Sequence, residues 1–142
     1  ASDLLQDVAG LLAAERDGGR LLIEEIGDVP SLSGDRGELR RVLLNLVQNG
    51  LQAAAERGHV VLRARHDAGR GEVVFSVEDD GSGVDAETAA RLFEPYFTTR
   101  SSGTGLGLAS SKRIVEAHLG RIWLDCGEPG KTRFCVALPA AG

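Results

Sequence analysis

With 142 residues and 42% hydrophobic content, the chain has the length of one globular domain and enough apolar side chains for one core. Its net charge of -5 excludes the broad basic surface that nucleic acid requires, so any bound anion is held locally. Cys126 and Cys135 are too few for a disulfide framework and lack zinc spacing, which points to a reducing, cytoplasmic setting; no apolar run approaches the roughly 18 residues of a membrane span, so this segment is expected to make no membrane contact.

Leu4, Leu5, Val8, Leu11 and Leu12 fall at helical spacing between Asp3 and the Gly18-Gly19 stop, which predicts a first helix. Arg20–Ile26 reads as a strand, and "GDVPSLSGD" as a loop. Asp35 or Ser33 can cap a long helix over Arg36–Arg57, with Leu39, Leu43, Leu46, Val47, Gly50 and Ala54 as its apolar face. Strands over Val60–Arg65 and Glu72–Asp79 are joined by a turn at "DAGRGE". After the turn "DDGSGV" come a short helix started by Asp85, the stretch "RSSGTGLGL", and a helix from about Gly105 to Leu119. A strand at Arg121–Leu124, a turn at "CGEPGK" and a strand over Thr132–Leu138 close the chain. Helices beside hairpin-linked strands predict an α/β fold, a two-layer sandwich whose mixed sheet is covered on one face by helices. Ala1 opens with neither an initiator Met nor a charged-then-apolar leader, so the expectation is a single domain, 1–142, that is a fragment of a longer chain.

Three features carry chemistry. In "GTGLGL", a dinucleotide fingerprint would need Gly where Leu108 stands, and a phosphate loop would need a following Gly-Lys-Ser or Gly-Lys-Thr. What remains is a Gly-bare helix N-terminus whose N–H groups and dipole suit phosphate, or a flexible loop with Thr104 as its cap. On the long helix, Asn45, Asn49 and Gln52 form one stripe opposite the leucines. A solvated face is the ordinary reading, but two mid-helix Asn cost up to about 0.7 kcal/mol each against Ala, and amide oxygens suit Mg²⁺ already chelated by phosphates. Along "EVVFSVED", Asp79 continues the apolar row of Val73, Phe75 and Val77. A carboxylate there needs a donor, such as the exocyclic amine of a base admitted where Gly81 and Gly83 lack side chains. Taken alone, an ordinary Asp-Gly turn explains it as well.

In order along the chain, these pieces resemble the ATP-binding catalytic domain of sensor histidine kinases, in the superfamily of gyrase, Hsp90 and MutL with its Bergerat-type fold. "NLVQNGLQAA" is similar to the family's N box, "VEDDGSGV" to its first Gly box, "FEPYFTT" to its F box and "GTGLGLASSKRIVEAHLG" to its second Gly box. The resemblance runs from about Asp35 to Pro139, and "NLxxNxxQA" with "FEPYFTT" is most like the nitrogen-regulation type.

That resemblance implies a Mg²⁺ ligand at Asn49, a phosphate neighbour at Asn45, a polar phosphate contact at Gln52 and an adenine-binding carboxylate at Asp79. Gly81 and Gly83 would shape the adenine pocket, and Thr132 would share a water there. Phe97, Thr98, Thr99, Gly103, Thr104, Gly105, Leu106, Gly107 and Leu108 would form the ATP lid, its hinge and the phosphate-facing turn, with Arg100 as the lid cation. Gly50 departs from the usual Ala, and Leu119 from the second residue of a common His-Gly-Gly.

The implied reaction is transfer of the γ-phosphate of Mg-ATP to a histidine on a separate dimerisation domain, with a response regulator receiver domain as the indirect partner. Related ATPases carry a general-base Glu at position 45. Asn45 cannot take a proton, so little or no hydrolysis by this domain is expected. His59, His66 and His118 lack the family's acceptor-box surroundings, which places the acceptor elsewhere in a parent that is either soluble or membrane-anchored. Two alternatives stand beside this reading: a serine protein kinase of the anti-sigma-factor type, and a non-catalytic nucleotide-binding module.

Overall fold

The computed structural model describes residues 2–54, 58–81, 83–95 and 107–141. The predicted first helix divides into α1 (Ser2–Leu11) and α2 (Ala13–Asp17) at Leu12, whose φ of -116° and ψ of 37° leave the helical region. Leu4, Leu5, Val8 and Leu12 are buried, while Leu11 turns outward. β1 covers Leu21–Ile26 and α3 covers Arg36–Ala53. Asp35, rather than Ser33, caps α3 by accepting from the Glu38 N–H at 3.0 Å. Arg20, expected in the strand, instead donates at 3.1 Å to the carbonyls of Leu51 and Gly58, so a cation offsets the negative end of α3.

β2 (Val60–Asp67) and β3 (Glu72–Asp79) form one hairpin; after α4 (Ala86–Ala89) and α5 (Gly107–Ala117), β4 (Arg121–Glu128) and β5 (Lys131–Pro139) form another. The sheet order is β1-β2-β3-β5-β4, with β1 parallel to β2 and every other pair antiparallel. The expected mixed sheet is present, and β4 runs four residues past its predicted end, through Glu128. A bulge between Leu124 and Cys126 lets Gly127 pair with Thr132, so the predicted turn shrinks to Pro129-Gly130.

Period-two alternation sends Val73, Phe75 and Val77 to one side, in register with Leu62 and Ala64 of β2 and with Phe134, Val136 and Leu138 of β5. Against this layer pack Leu43, Leu46 and Val47 of α3 and Val115 of α5, all fully buried, each contributing about 1.5–3 kcal/mol. The opposite face carries an ion-pair ladder across all five strands: Glu24 to Arg63 (2.8 Å), Arg63 to Glu78 (3.3 Å), Glu78 to Arg133 (3.1 Å) and Arg133 to Asp125 (2.9 Å). Burial pushes the Glu78 carboxyl up, but the guanidiniums of Arg133 and Arg63 outweigh it and hold the group below its usual range. Charge thus occupies the face opposite the one on which α3 and α5 pack. Among the described residues, no helix is long and apolar enough to cross a membrane.

α5 ends with the Gly120 N–H on the Val115 carbonyl (2.9 Å) and the Leu119 N–H on the Glu116 carbonyl (3.0 Å). This cap requires a left-handed residue, normally Gly, and Leu119 adopts φ 62° with its side chain 84% exposed. A left-handed L-residue costs about 1–2 kcal/mol, partly offset by the extra entropy that Gly loses on folding. Leu119→Gly is therefore expected to raise the thermal midpoint by about 2–5 °C in scanning calorimetry.

Candidate functional site

Asp79 ends β3, flanked in register by Val60 on one side and Thr132 on the other. It is 4% exposed, and its Oδ1 accepts from the Gly81 N–H at 2.8 Å. Burial pushes its carboxyl above the ordinary range; the Gly81 bond opposes this, and the charges of Asp80 and Glu78 add to it. Thr132, across the strand pair, is also 4% exposed, and its Oγ1 has no hydrogen-bond partner. A buried acceptor and an unsatisfied hydroxyl thus stand side by side on the helix-covered face. Such groups normally find partners, so the pair suits a planar ligand that presents both a donor and an acceptor.

The long helix reaches this spot through Gly50. A Cβ there would stand 3.5 Å from Asp79 Cβ and 3.2 Å from Val60 Cγ2. The Asn45 and Asn49 side chains are half-buried and Gln52 is exposed. The amide stripe therefore borders the buried face of α3 instead of standing opposite it, because α5 packs alongside: Asn45 Nδ2 donates to Ser111 Oγ at 3.3 Å and to the Gly107 carbonyl at 3.5 Å. Among the described residues, no cluster of three His, Cys, Asp or Glu could hold a metal. Amide oxygens on α3 fit a metal that arrives with its charge already largely neutralised by phosphates.

Gly81 and Gly83 also have a packing reason. A Cβ at Gly81 would lie 2.5 Å from the Ala53 carbonyl oxygen, and one at Gly83, where φ is +87°, would lie 2.6 Å from the Gly127 carbonyl oxygen. Backbone stands where each side chain would be, so both positions require glycine for packing. The glycines let the Asp79–Val84 segment lie against the end of α3 and the β4–β5 hairpin, where Gly130 N–H bonds Gly81 O (2.7 Å) and Val84 N–H bonds Gly127 O (2.8 Å). Among the described residues, nothing lies within 4 Å of where a Cβ of Gly107 would stand. Leu108 packs on the core. Phe97, Thr98, Thr99, Arg100, Gly103, Thr104, Gly105 and Leu106 lie outside the described residues.

Ser111 escaped the sequence reading, as did the contacts made by Phe93 and His118. Ser111 is fully buried; its signal was a polar residue on the stripe of Leu108 and Val115. Phe93 stands edge-on to Phe134 with centroids 6.3 Å apart, which attaches the F-box segment to β5. His118 donates from Nδ1 to the Ile114 carbonyl (2.8 Å) and accepts at Nε2 from the Asp35 N–H (3.1 Å), tying the end of α5 to the start of α3. A cleft of about 490 Å³ opens among His59, Arg63, Glu78, Asp80, Lys131 and Arg133. Val61 and Asp79 also line it, and most of its charges are already partnered, Glu78 with both arginines and Asp80 with His59.

The family model "Histidine kinase-, DNA gyrase B-, and HSP90-like ATPase" matches residues 34–142. The chain belongs to this family. Within this ATPase family it is a catalytic, ATP-binding domain of the sensor histidine kinase type. It is 38% identical over 137 residues to the sensory histidine kinase/phosphatase NtrB of Rhodobacter capsulatus, a match covering 87% of this chain and 38% of that protein. It is 40% identical over 112 residues to the histidine-protein kinase AtoS of Escherichia coli, covering 79% of this chain and 18% of AtoS. The chain therefore spans well under half of either relative, and the likeness to NtrB fits the nitrogen-regulation type. The catalytic domain of the histidine kinase ThkA superposes with a TM-score of 0.85 at 28% identity, covering 98% of this chain and 91% of that one. Full-length ShkA in complex with AMPPNP gives 0.81 at 33% identity, covering 98% and 30%.

Because the buried fold raises the proton affinity of Asp79, protonation favours the native state: this contribution is fully present below the unfolded value and is lost as pH rises through the native one. At pH 7 the buried charge is a cost. Asp79→Asn keeps an oxygen for Gly81 and offers an amide to Thr132, so it is expected to be more heat-stable than the parent at about pH 7, the two midpoints converging below about pH 4. Thermal denaturation followed by circular dichroism at both pH values checks this.

Proposed function

We propose that this domain binds Mg-ATP and passes the γ-phosphoryl group to a histidine on a separate dimerisation domain, as the kinase core of a two-component system whose receiver domain takes the phosphoryl group afterwards. The observation that carries the reading is the buried Asp79 carboxylate beside the unpartnered Thr132 hydroxyl. Adenine has an exocyclic amine to donate to Asp79 and ring nitrogens that can accept from Thr132, directly or through water. The stretch from about Phe97 to Thr104, expected to act as the lid, would close over the triphosphate.

Asn49 would hold the metal, and Gln52 and the first turn of α5 would meet phosphate oxygens. The metal, when bound, supplies positive charge to the phosphoryl oxygens. An imidazole nitrogen of the acceptor attacks the γ-phosphorus in line, and the bond to the β,γ-bridging oxygen breaks with its electron pair leaving on ADP. Asn45 cannot accept a proton from water, so it does not generate hydroxide, and the phosphoryl group is kept for the histidine. Two of the chain's histidines are already engaged, His59 with Asp80 and His118 with Ile114 and Asp35, which favours an acceptor elsewhere. The length of the relatives leaves room for such a domain.

Titration calorimetry with Mg-ATP tests the reading. Asp79→Asn is expected to weaken binding by about 10- to 100-fold, the value of a hydrogen bond to a charged group. Asn49→Ala is expected to bind ATP equally with and without Mg²⁺. Parent-chain affinity indifferent to Mg²⁺ would remove the metal assignment, and rapid multiple-turnover ATP hydrolysis would remove the phosphotransfer reading.

A further inference from the structure

Ser111 is a hydroxyl with no solvent exposure on a helix stripe otherwise made of Leu108 and Val115. A buried hydroxyl is retained without cost only when it is hydrogen-bonded, and the bond recorded for it comes from Asn45 Nδ2. The same amide nitrogen reaches the carbonyl of Gly107, one turn earlier on α5. Its two hydrogens thus have two acceptors one turn apart at the start of α5, and that assignment sets the amide orientation, because a carbonyl oxygen cannot face Gly107 O. At the far end of α5, His118 holds the cap residue of α3. Two polar clasps therefore hold α5 along α3, and the one at Asn45 and Ser111 lies beside the turn that follows the Gly-rich stretch.

We propose that Ser111 is a positioning residue for the triphosphate: by receiving the Asn45 amide it seats the first turn of α5 against α3, and so sets the spacing between Asn49 and the phosphate-facing N–H groups near Gly107. The proposal rests on the Mg-ATP reading above. It gives Asn45 a definite task, holding the neighbouring helix with its nitrogen, while its remaining oxygen can only accept. Ser111 acts through Asn45 and Gly107 and touches no nucleotide itself.

A double-mutant cycle on the 142-residue chain tests this, with Mg-ATP and adenosine as the two probes in titration calorimetry. Ser111→Ala is expected to weaken Mg-ATP by about fivefold or more, the value of one lost hydrogen bond, and to leave adenosine within about twofold. Asn45→Ala with Ser111→Ala should bind Mg-ATP no worse than Asn45→Ala alone. Ser111→Cys, close in volume but a poor acceptor, should show the same split with an unchanged thermal midpoint, which separates positioning from a packing defect. Equal losses for both probes, or additive losses in the cycle, would overturn the role of Ser111 while leaving the nucleotide reading in place. A parent chain that binds neither probe would overturn both.

Discussion

The burial of one carboxylate at a strand tip constrains everything around it. Asp79 sits between two neighbouring strands and under a helix, with one backbone N–H as its recorded partner, an arrangement that favours the neutral acid over the anion. The surroundings are shaped to keep it there. Gly50 brings α3 to ordinary van der Waals distance, Gly81 lets the chain turn back under the carbonyl of Ala53, and the bulge in β4 lets Gly127 run alongside Thr132. The fold thus places an electrostatic cost at this strand tip, where a hydrogen-bond donor would relieve it.

The two helices over the sheet divide the labour. α3 brings the amide stripe and the floor beside Asp79, whereas α5 brings its N-terminus. The hydrophobic contacts between them set distance but not register, since apolar side chains slide at little cost; the clasps at Asn45–Ser111 and Asp35–His118 supply the register. A hydrogen-bonded seam between otherwise apolar helices is well suited to holding functional groups carried on separate elements at a fixed spacing.

Legibility from sequence followed the range of the interactions involved. Locally coded features were plain: the alternation in β3 ends at Asp79 as read, α3 begins at the residue after Asp35, and Asp85 caps α4 by accepting from the Thr88 N–H. The sandwich followed from the order of elements, and the family from four motifs in sequence. Contacts between distant segments were not readable. The extension of β4 depends on pairing with β5 across a bulge, and the Arg20 side chain reaches carbonyls 31 and 38 positions away. Gly81 and Gly83 also have a packing reason that spacing could not reveal, because the backbone their side chains would strike belongs to Ala53 and to the distant β4–β5 hairpin. The unpaired state of Thr132 Oγ1 and the burial of Ser111 depend on three-dimensional packing; for Ser111 only a polar residue on an apolar stripe hinted at it.

The irregularity in β4 reaches beyond the nucleotide. This strand is outermost in the sheet, and an outermost strand with evenly spaced free amides is a template on which a second molecule can add its own. The kink between Leu124 and Cys126 breaks that spacing, and Arg121, Asp125 and Glu128 distribute exposed charge along the same margin. The inserted residue that brings Gly127 beside Thr132 therefore also blunts the sheet, so one deviation from regular pleating guards against runaway self-association.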